Sequence, residues 1–151
     1  MTVYLACTVR GDRSTIGVVR HIAARLRAAG HEVLTSHLLE DDVDAAESSV
    51  SSQAVFERDL RWLDSCDLLV AEASGASYGV GFEVGYILGR AATTGQRALL
   101  LYDAARASSV SRMLSGNTHP ACSVMAYEAT RQIDEFLAMH VPPAALGAGL
   151  L

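Results

Sequence analysis

The chain has 151 residues, half of them apolar and 19% charged, with a formal charge of −5 and three cysteines. That length and balance describe one globular domain with a real core and exclude a disordered chain. There is no basic run to bind a nucleic-acid polymer, and no apolar run approaches the roughly 20 residues of a membrane span.

The N-terminus enters "TVYLACTV" with no basic stretch ahead of it, so a secretory signal is not expected. Cys7, Cys66 and Cys122 are widely spaced and form no CxxC pair. They read as small buried hydrophobes in a reducing, cytoplasmic setting. Cys7 stands apart because it adjoins the first loop. His21, His31, His119 and His140 show no ligand-like spacing with one another or with a cysteine, so neither metal nor cofactor is expected.

Strand and helix signals alternate along the chain. "VYLACTV" (3–9) reads as a buried strand. Residues 15–29 place Ile16, Val19, Ile22, Ala23 and Leu26 at helical spacing, with Gly30 as C-cap. "HEVLTS" (31–36) reads as the second strand, and the acidic, serine-rich stretch 41–50 as a loop or frayed turn. A helix is expected over 52–65 with Val55, Phe56, Leu60 and Leu63 inward, then a strand in "DLLVAEA" (67–73). A helix at 81–94, a strand at 97–102, a short helix at 108–115, a strand at 122–127 and a helix at 130–140 complete the pattern. The tail from about 141 looks irregular. Five strands separated by helices imply a single doubly wound α/β domain over 1–151, of flavodoxin or Rossmann-like type, with a parallel sheet covered on both faces. In such sheets the ligand sits at the carboxyl ends of the strands, which selects the loops "TVRGDR", "SHLLE" and "ASGASYGVGFE".

The glycine stretch "SYGVGFEVG" (77–85) opens a helix, where free amides and the dipole favour a phosphate. Its spacing is neither the dinucleotide fingerprint nor a P-loop. Tight helix–strand packing would also explain the glycines, and plain capping would explain Glu83. A carboxylate beside an anion site is nevertheless awkward unless it meets something positive. The anomeric carbon of a sugar phosphate, which gains oxocarbenium character, is such a partner. A second carboxylate would then assist the leaving group. Asp59 is the candidate, lying i, i+3 from Trp62 on one helix face, although a surface charge would look the same.

Together "YLACTVRG", "RDLRWLDSCDLLVAEAS" and "SYGVGFEVG" resemble the 2'-deoxynucleoside 5'-monophosphate N-glycosidases, hydrolases related to the nucleoside 2-deoxyribosyltransferases. The likeness runs over roughly residues 3 to 127, and "RDLxWLxxxDxxVAExSxxSxGVGxE" is a long signature. It implies hydrolysis of a nucleoside 5'-monophosphate to free base and 2-deoxyribose 5-phosphate. It further implies Glu83 as nucleophile, Asp59 as the second carboxylate and Tyr4 lining the pocket between sugar and carboxylate. Ser77, Gly79 and Gly81 match the phosphate turn, and Cys7, Thr8, Val9, Arg10 and Gly11 the first loop. His37 matches a histidine on the nucleobase side, and Ser111 a serine reaching the neighbouring subunit's phosphate, which implies a homodimer.

The chain departs from the family in having Cys7-Thr8 where Gly-Ser is usual and Ala76 where proline often stands. The small Val9 resembles the deoxy-preferring members, whereas related bacterial enzymes cleave ribonucleotides such as CMP. A deoxyribosyltransferase and a non-catalytic nucleotide sensor are the rival readings.

Overall fold

The computed structural model describes residues 1–145. In the first strand, β1 (Thr2–Ala6), the period-two alternation of side chains splits the core in two. Val3 and Leu5 pack against α1 (Ile16–Ala28) and α6 (Thr130–His140) through Val19, Ile22, Leu26, Ile133 and Leu137. Tyr4 and Ala6 face the opposite way, toward α3 (Ser52–Ser65) and α4 (Tyr78–Thr94), through Leu63, Val80, Val84 and Ile87. Tyr4 thus lies on the layer that carries both candidate carboxylates.

The remaining strands are β2 (Glu32–Val33), β3 (Leu68–Glu72), β4 (Arg97–Asp103) and β5 (Cys122–Tyr127), all parallel, in the order β2-β1-β3-β4-β5. Leu68 to Glu72 are buried throughout, as expected of a central strand covered on both faces. The expected doubly wound sheet is therefore present.

Several boundaries differ from expectation. β1 ends at Ala6 rather than at residue 9, because the chain turns there and the Gly11 amide donates to Thr8 Oγ1 at 3.0 Å. β2 pairs over only two residues. Beyond it the Thr35 hydroxyl accepts from the Leu5 amide (3.0 Å) and donates to the Leu5 carbonyl (2.6 Å), and a 3-10 turn follows at Ser36–Leu39. The acidic stretch 41–50 contains a real helix, α2 (Val43–Ser48), which buries Val43. The helix expected at 108–115 is only the four-residue α5 (Arg112–Ser115), with a 3-10 turn ahead of it at Ala104–Ser109.

α4 starts at Tyr78, three residues before the expected 81, because Ser77 is its N-cap and accepts from the Val80 amide at 3.2 Å. Gly95 closes the same helix in the left-handed conformation, φ 73°. The tail is irregular through residue 145, its Ala144 amide donating to the Ala29 carbonyl at 2.8 Å; the rest of the predicted tail lies outside the described residues.

Candidate active site

The chain leaves β1 for the sheet edge at β2, then returns past β1 to β3, so the order reverses between β1 and β3. The loops after these two strands must diverge there and leave a crevice. A cleft of about 1110 Å³ occupies it, bounded by the loop after β1, by α2 and α3, by the 74–77 turn with α4, and by α5. The two loops interlock at its floor. A Cβ at Gly75 would lie 2.7 Å from the Asp12 carbonyl oxygen and 2.7 Å from Thr8 Cγ2, so only glycine fits.

Glu83 stands in the second turn of α4, half-buried and facing the cleft. Tyr4, 1% exposed, donates from Oη to Glu83 Oε1 at 2.7 Å. Burial pushes the Glu83 carboxyl up to about 7; the Tyr4 bond opposes this, and the negative charge of Asp59 adds to it. Burial and then the Glu83 charge hold the Tyr4 phenol far above its ordinary range, so it remains a donor. Asp59, from the middle of α3, lines the same cleft. Its Oδ1 accepts from Arg58 Nε at 2.8 Å and pairs with Arg58 Nη2 at the same distance. The structure therefore brings Tyr4, Asp59 and Glu83 together, although Tyr4 lies behind Glu83 rather than on the cleft surface.

Ser77, Gly79 and Gly81 line one end of the cleft, at the N-terminus of α4. The glycines are the first turn of the helix rather than a loop ahead of it. The first amides of a helix have no partner within it, and they gather here with the positive end of the helix dipole.

Cys7, Thr8, Val9, Arg10 and Gly11 all line the cleft. Burial pushes the Cys7 thiol up to about 11, which keeps it protonated at neutral pH. Arg10 is exposed and its Nε pairs with Asp44 Oδ1 of α2 at 3.2 Å. Ser111 lines the cleft of its own chain and caps α5, accepting from the Met113 amide at 3.3 Å.

His37 is not on the cleft wall. It lies behind it, its ring 5.5 Å from Trp62 and its Nε2 3.2 Å from Glu47 Oε1, a contact without hydrogen-bond geometry. Burial, and then the Arg58 charge, hold its pKa below the ordinary value.

Three contributors escape sequence reasoning. Glu47 of α2 lines the cleft, and Arg58 ties it to Asp59 by a second ion pair, 2.8 Å from Nη1 to Glu47 Oε1. Glu72, 1% exposed, gathers the Ser74 hydroxyl, Tyr127 Oη (2.8 Å) and Thr15 Oγ1 (2.7 Å), joining the ends of β3 and β5 to the start of α1. In sequence it shows only as the acid closing the apolar run "LLVAE" and as one letter of the long signature, with no role attached to it. Gly75 is the third. Among the described residues no group of three or more His, Cys, Asp or Glu side chains gathers as a metal site would require, and no helix is long and apolar enough to cross a membrane.

A family model described as nucleoside 2-deoxyribosyltransferase matches residues 3–119. A protein of Thermofilum pendens named "Putative 2'-deoxynucleoside 5'-phosphate N-hydrolase 1" is 40% identical over 141 residues, spanning 91% of this chain and 95% of its own. The 5-hydroxymethyl-dUMP N-hydrolase of Danio rerio is 32% identical over 130 residues, 85% of this chain and 87% of its own. Among solved structures, a CMP N-glycosidase of Clostridium botulinum shares the fold, with a TM-score of 0.65 over 93% of this chain and 100% of its own, at 17% identity.

Proposed function

This chain belongs to the nucleoside 2-deoxyribosyltransferase family, and from that premise we propose that it hydrolyses the N-glycosidic bond of 2'-deoxynucleoside 5'-monophosphates. The observation that carries the reading is the Tyr4–Glu83 pair, 2.7 Å apart, beside a helix N-terminus open to the same cleft. The phosphate binds at Ser77, Gly79 and Gly81 on the α4 amides, with Arg10 of the first loop at the cleft mouth, and this sets the sugar against Glu83. Tyr4 holds Oε1, leaving Oε2 to attack the anomeric carbon.

Asp59 acts on the base side, its Oδ1 tethered by Arg58. As the substrate fills the cleft Asp59 takes up a proton from solvent while Glu83 stays ionised; in the first step the C1'–N bond breaks, its electrons go to the base, and the base takes that proton from Asp59 while Glu83 forms an ester with C1'. Arg58 stabilises the carboxylate this leaves. In the second step water attacks C1', Asp59 recovers a proton from it, and Glu83 is released with 2-deoxyribose 5-phosphate. His37, behind Glu47 and Trp62, supports the base end from the second layer.

The protein acts as a homodimer with two shared sites, each taking Ser111 from the partner subunit. Tyr78, Phe82 and Met113 are 101%, 53% and 83% exposed next to the cleft. Among the described residues a Cβ at Gly89, further along α4 and off the cleft, would meet nothing within 4 Å. That part of α4 leaves room for a twofold-related helix. The reading is tested by incubating the protein with the common nucleoside and deoxynucleoside 5'-monophosphates and with the matching unphosphorylated nucleosides, and measuring free base. Release from a deoxynucleotide, and far less from its nucleoside, is expected; equal rates for the two would overturn the phosphate-directed reading.

A further inference from the structure

The wall of the cleft formed by α2 and the start of α3 is apolar at Val50, Val55 and Phe56, and apart from Asp59 its one ionisable group is Glu47. The Glu47 side chain is 13% exposed, so whatever meets it in a filled cleft must satisfy a nearly buried charge. Its Oε1 already faces Arg58 Nη1 at 2.8 Å and His37 Nε2 at 3.2 Å. No hydrogen bond reaches Oε2 among the described residues.

This inference rests on the nucleotide reading above. With the phosphate at the N-terminus of α4 and the sugar at Glu83, the base is the part that extends toward the α2 wall. Val55 and Phe56 suit its flat faces, and Glu47 meets an edge. An ionised carboxylate accepts hydrogen bonds and donates none.

We propose that Glu47 is the specificity-determining residue for the nucleobase: it selects a base that turns an N–H donor, an exocyclic amino or a ring imino group, toward the α2 wall. A base with only acceptors on that edge leaves the carboxylate unmatched and is rejected. Arg58 holds Glu47 in place and links the residue that reads the base to Asp59 beside the scissile bond.

The test compares each nucleotide with an analogue that lacks the donor but adds no bulk. The pairs are dAMP and purine 2'-deoxyriboside 5'-monophosphate, dCMP and dUMP each against the 2-pyrimidinone analogue, and dGMP against both dIMP, which lacks the amino group, and 2-aminopurine 2'-deoxyriboside 5'-monophosphate, which lacks the imino hydrogen. kcat/KM is measured for wild type, Glu47→Gln and Glu47→Ala, and Kd for the same pairs in a Glu83→Gln background with and without the Glu47 changes. Thermal melting establishes that each variant is folded.

For the best-cleaved base, wild type should favour the donor-bearing member by about ten- to a hundredfold. That preference should shrink toward unity in Glu47→Ala and fall clearly in Glu47→Gln, which keeps the size of the side chain. Comparing ratios between variants cancels the intrinsic difference in leaving-group reactivity. A wild-type preference retained in both Glu47 variants, or one that follows the sugar 3'-hydroxyl in a 2',3'-dideoxy analogue, overturns the proposal while leaving the hydrolase reading intact. Donor-dependent Kd values that need Glu47, in a protein that cleaves none of the nucleotides, would uphold Glu47 as base reader and reject the hydrolase.

Discussion

Glu83→Gln separates what this carboxylate does for catalysis from what it costs the fold. Glutamine keeps the shape and can accept the Tyr4 hydrogen bond, made at 2.7 Å in the parent, but it carries no charge. Catalysis should fall by at least about 10²–10³ in kcat if Glu83 is the proposed nucleophile, because the charge that would meet the anomeric carbon is lost. Stability should move the other way. Burial raises the Glu83 carboxyl from an ordinary 4.5 to about 7, so the folded protein binds its proton more tightly than the unfolded chain does. Below pH 4.5 the group is protonated in both states and the two proteins differ little from this cause. From there to about 7 the wild type loses stability as pH rises, and above 7 the loss is complete. At about 1.36 kcal/mol per pH unit, the variant should gain on the order of 3 kcal/mol at pH 8. Urea unfolding of both proteins at pH 5 and pH 8 gives the double difference, in which the shared histidines cancel. A gap that does not widen with pH would refute the reasoning that burial desolvates Glu83.

The kcat/KM of wild type should rise as pH climbs through about 7, since Glu83 must be ionised to attack; Tyr4→Phe, which removes the bond favouring the charged form, should move that acid limb higher. Ser77→Ala should weaken binding of the 5'-monophosphate by about 1–3 kcal/mol while changing the affinity for the nucleoside much less, as calorimetry would show. Gly75→Ala puts a methyl group 2.7 Å from the Asp12 carbonyl oxygen, and should lower unfolding stability by about 1–3 kcal/mol. Mixing Glu83→Gln chains with an inactive Ser111 variant should restore activity by rebuilding one complete site in the heterodimer; a fully active monomer by light scattering would exclude the shared site.

Much of this was legible because the informative residues are close in sequence. "RDLRWLDSCDLLVAEAS" and "SYGVGFEVG" carry both cleft carboxylates, the central strand and the N-terminus of α4 in one run, and strand–helix alternation fixes which ends of the strands they occupy. The family resemblance read from these motifs agrees with the family model over residues 3–119. What the sequence hid depends on partners far apart in the chain. α2 buries a single position, Val43, too little for a periodic signal, and it is pinned by Arg10 and Arg58 from two other elements. That is why Glu47 passes for a loop acid. The Thr8–Gly75 contact joins two loops on either side of the switch point, and nothing in either loop announces the other. β2 read as a full strand because "HEVLTS" has strand composition, but at the sheet edge a side-chain hydroxyl on Thr35 takes over the bonds to Leu5.

Net hydrolysis of a phosphorylated substrate can be read from a product time course. The best deoxynucleoside 5'-monophosphate is incubated with the protein, once alone and once with a second free base in excess, and base, sugar phosphate and any new nucleotide are quantified. Free base and 2-deoxyribose 5-phosphate should form in equal amounts in both reactions, without a new nucleotide. A new nucleotide formed in place of sugar phosphate would make the protein a transferase, and tight binding without any product would make it a sensor; either result would exclude a hydrolase.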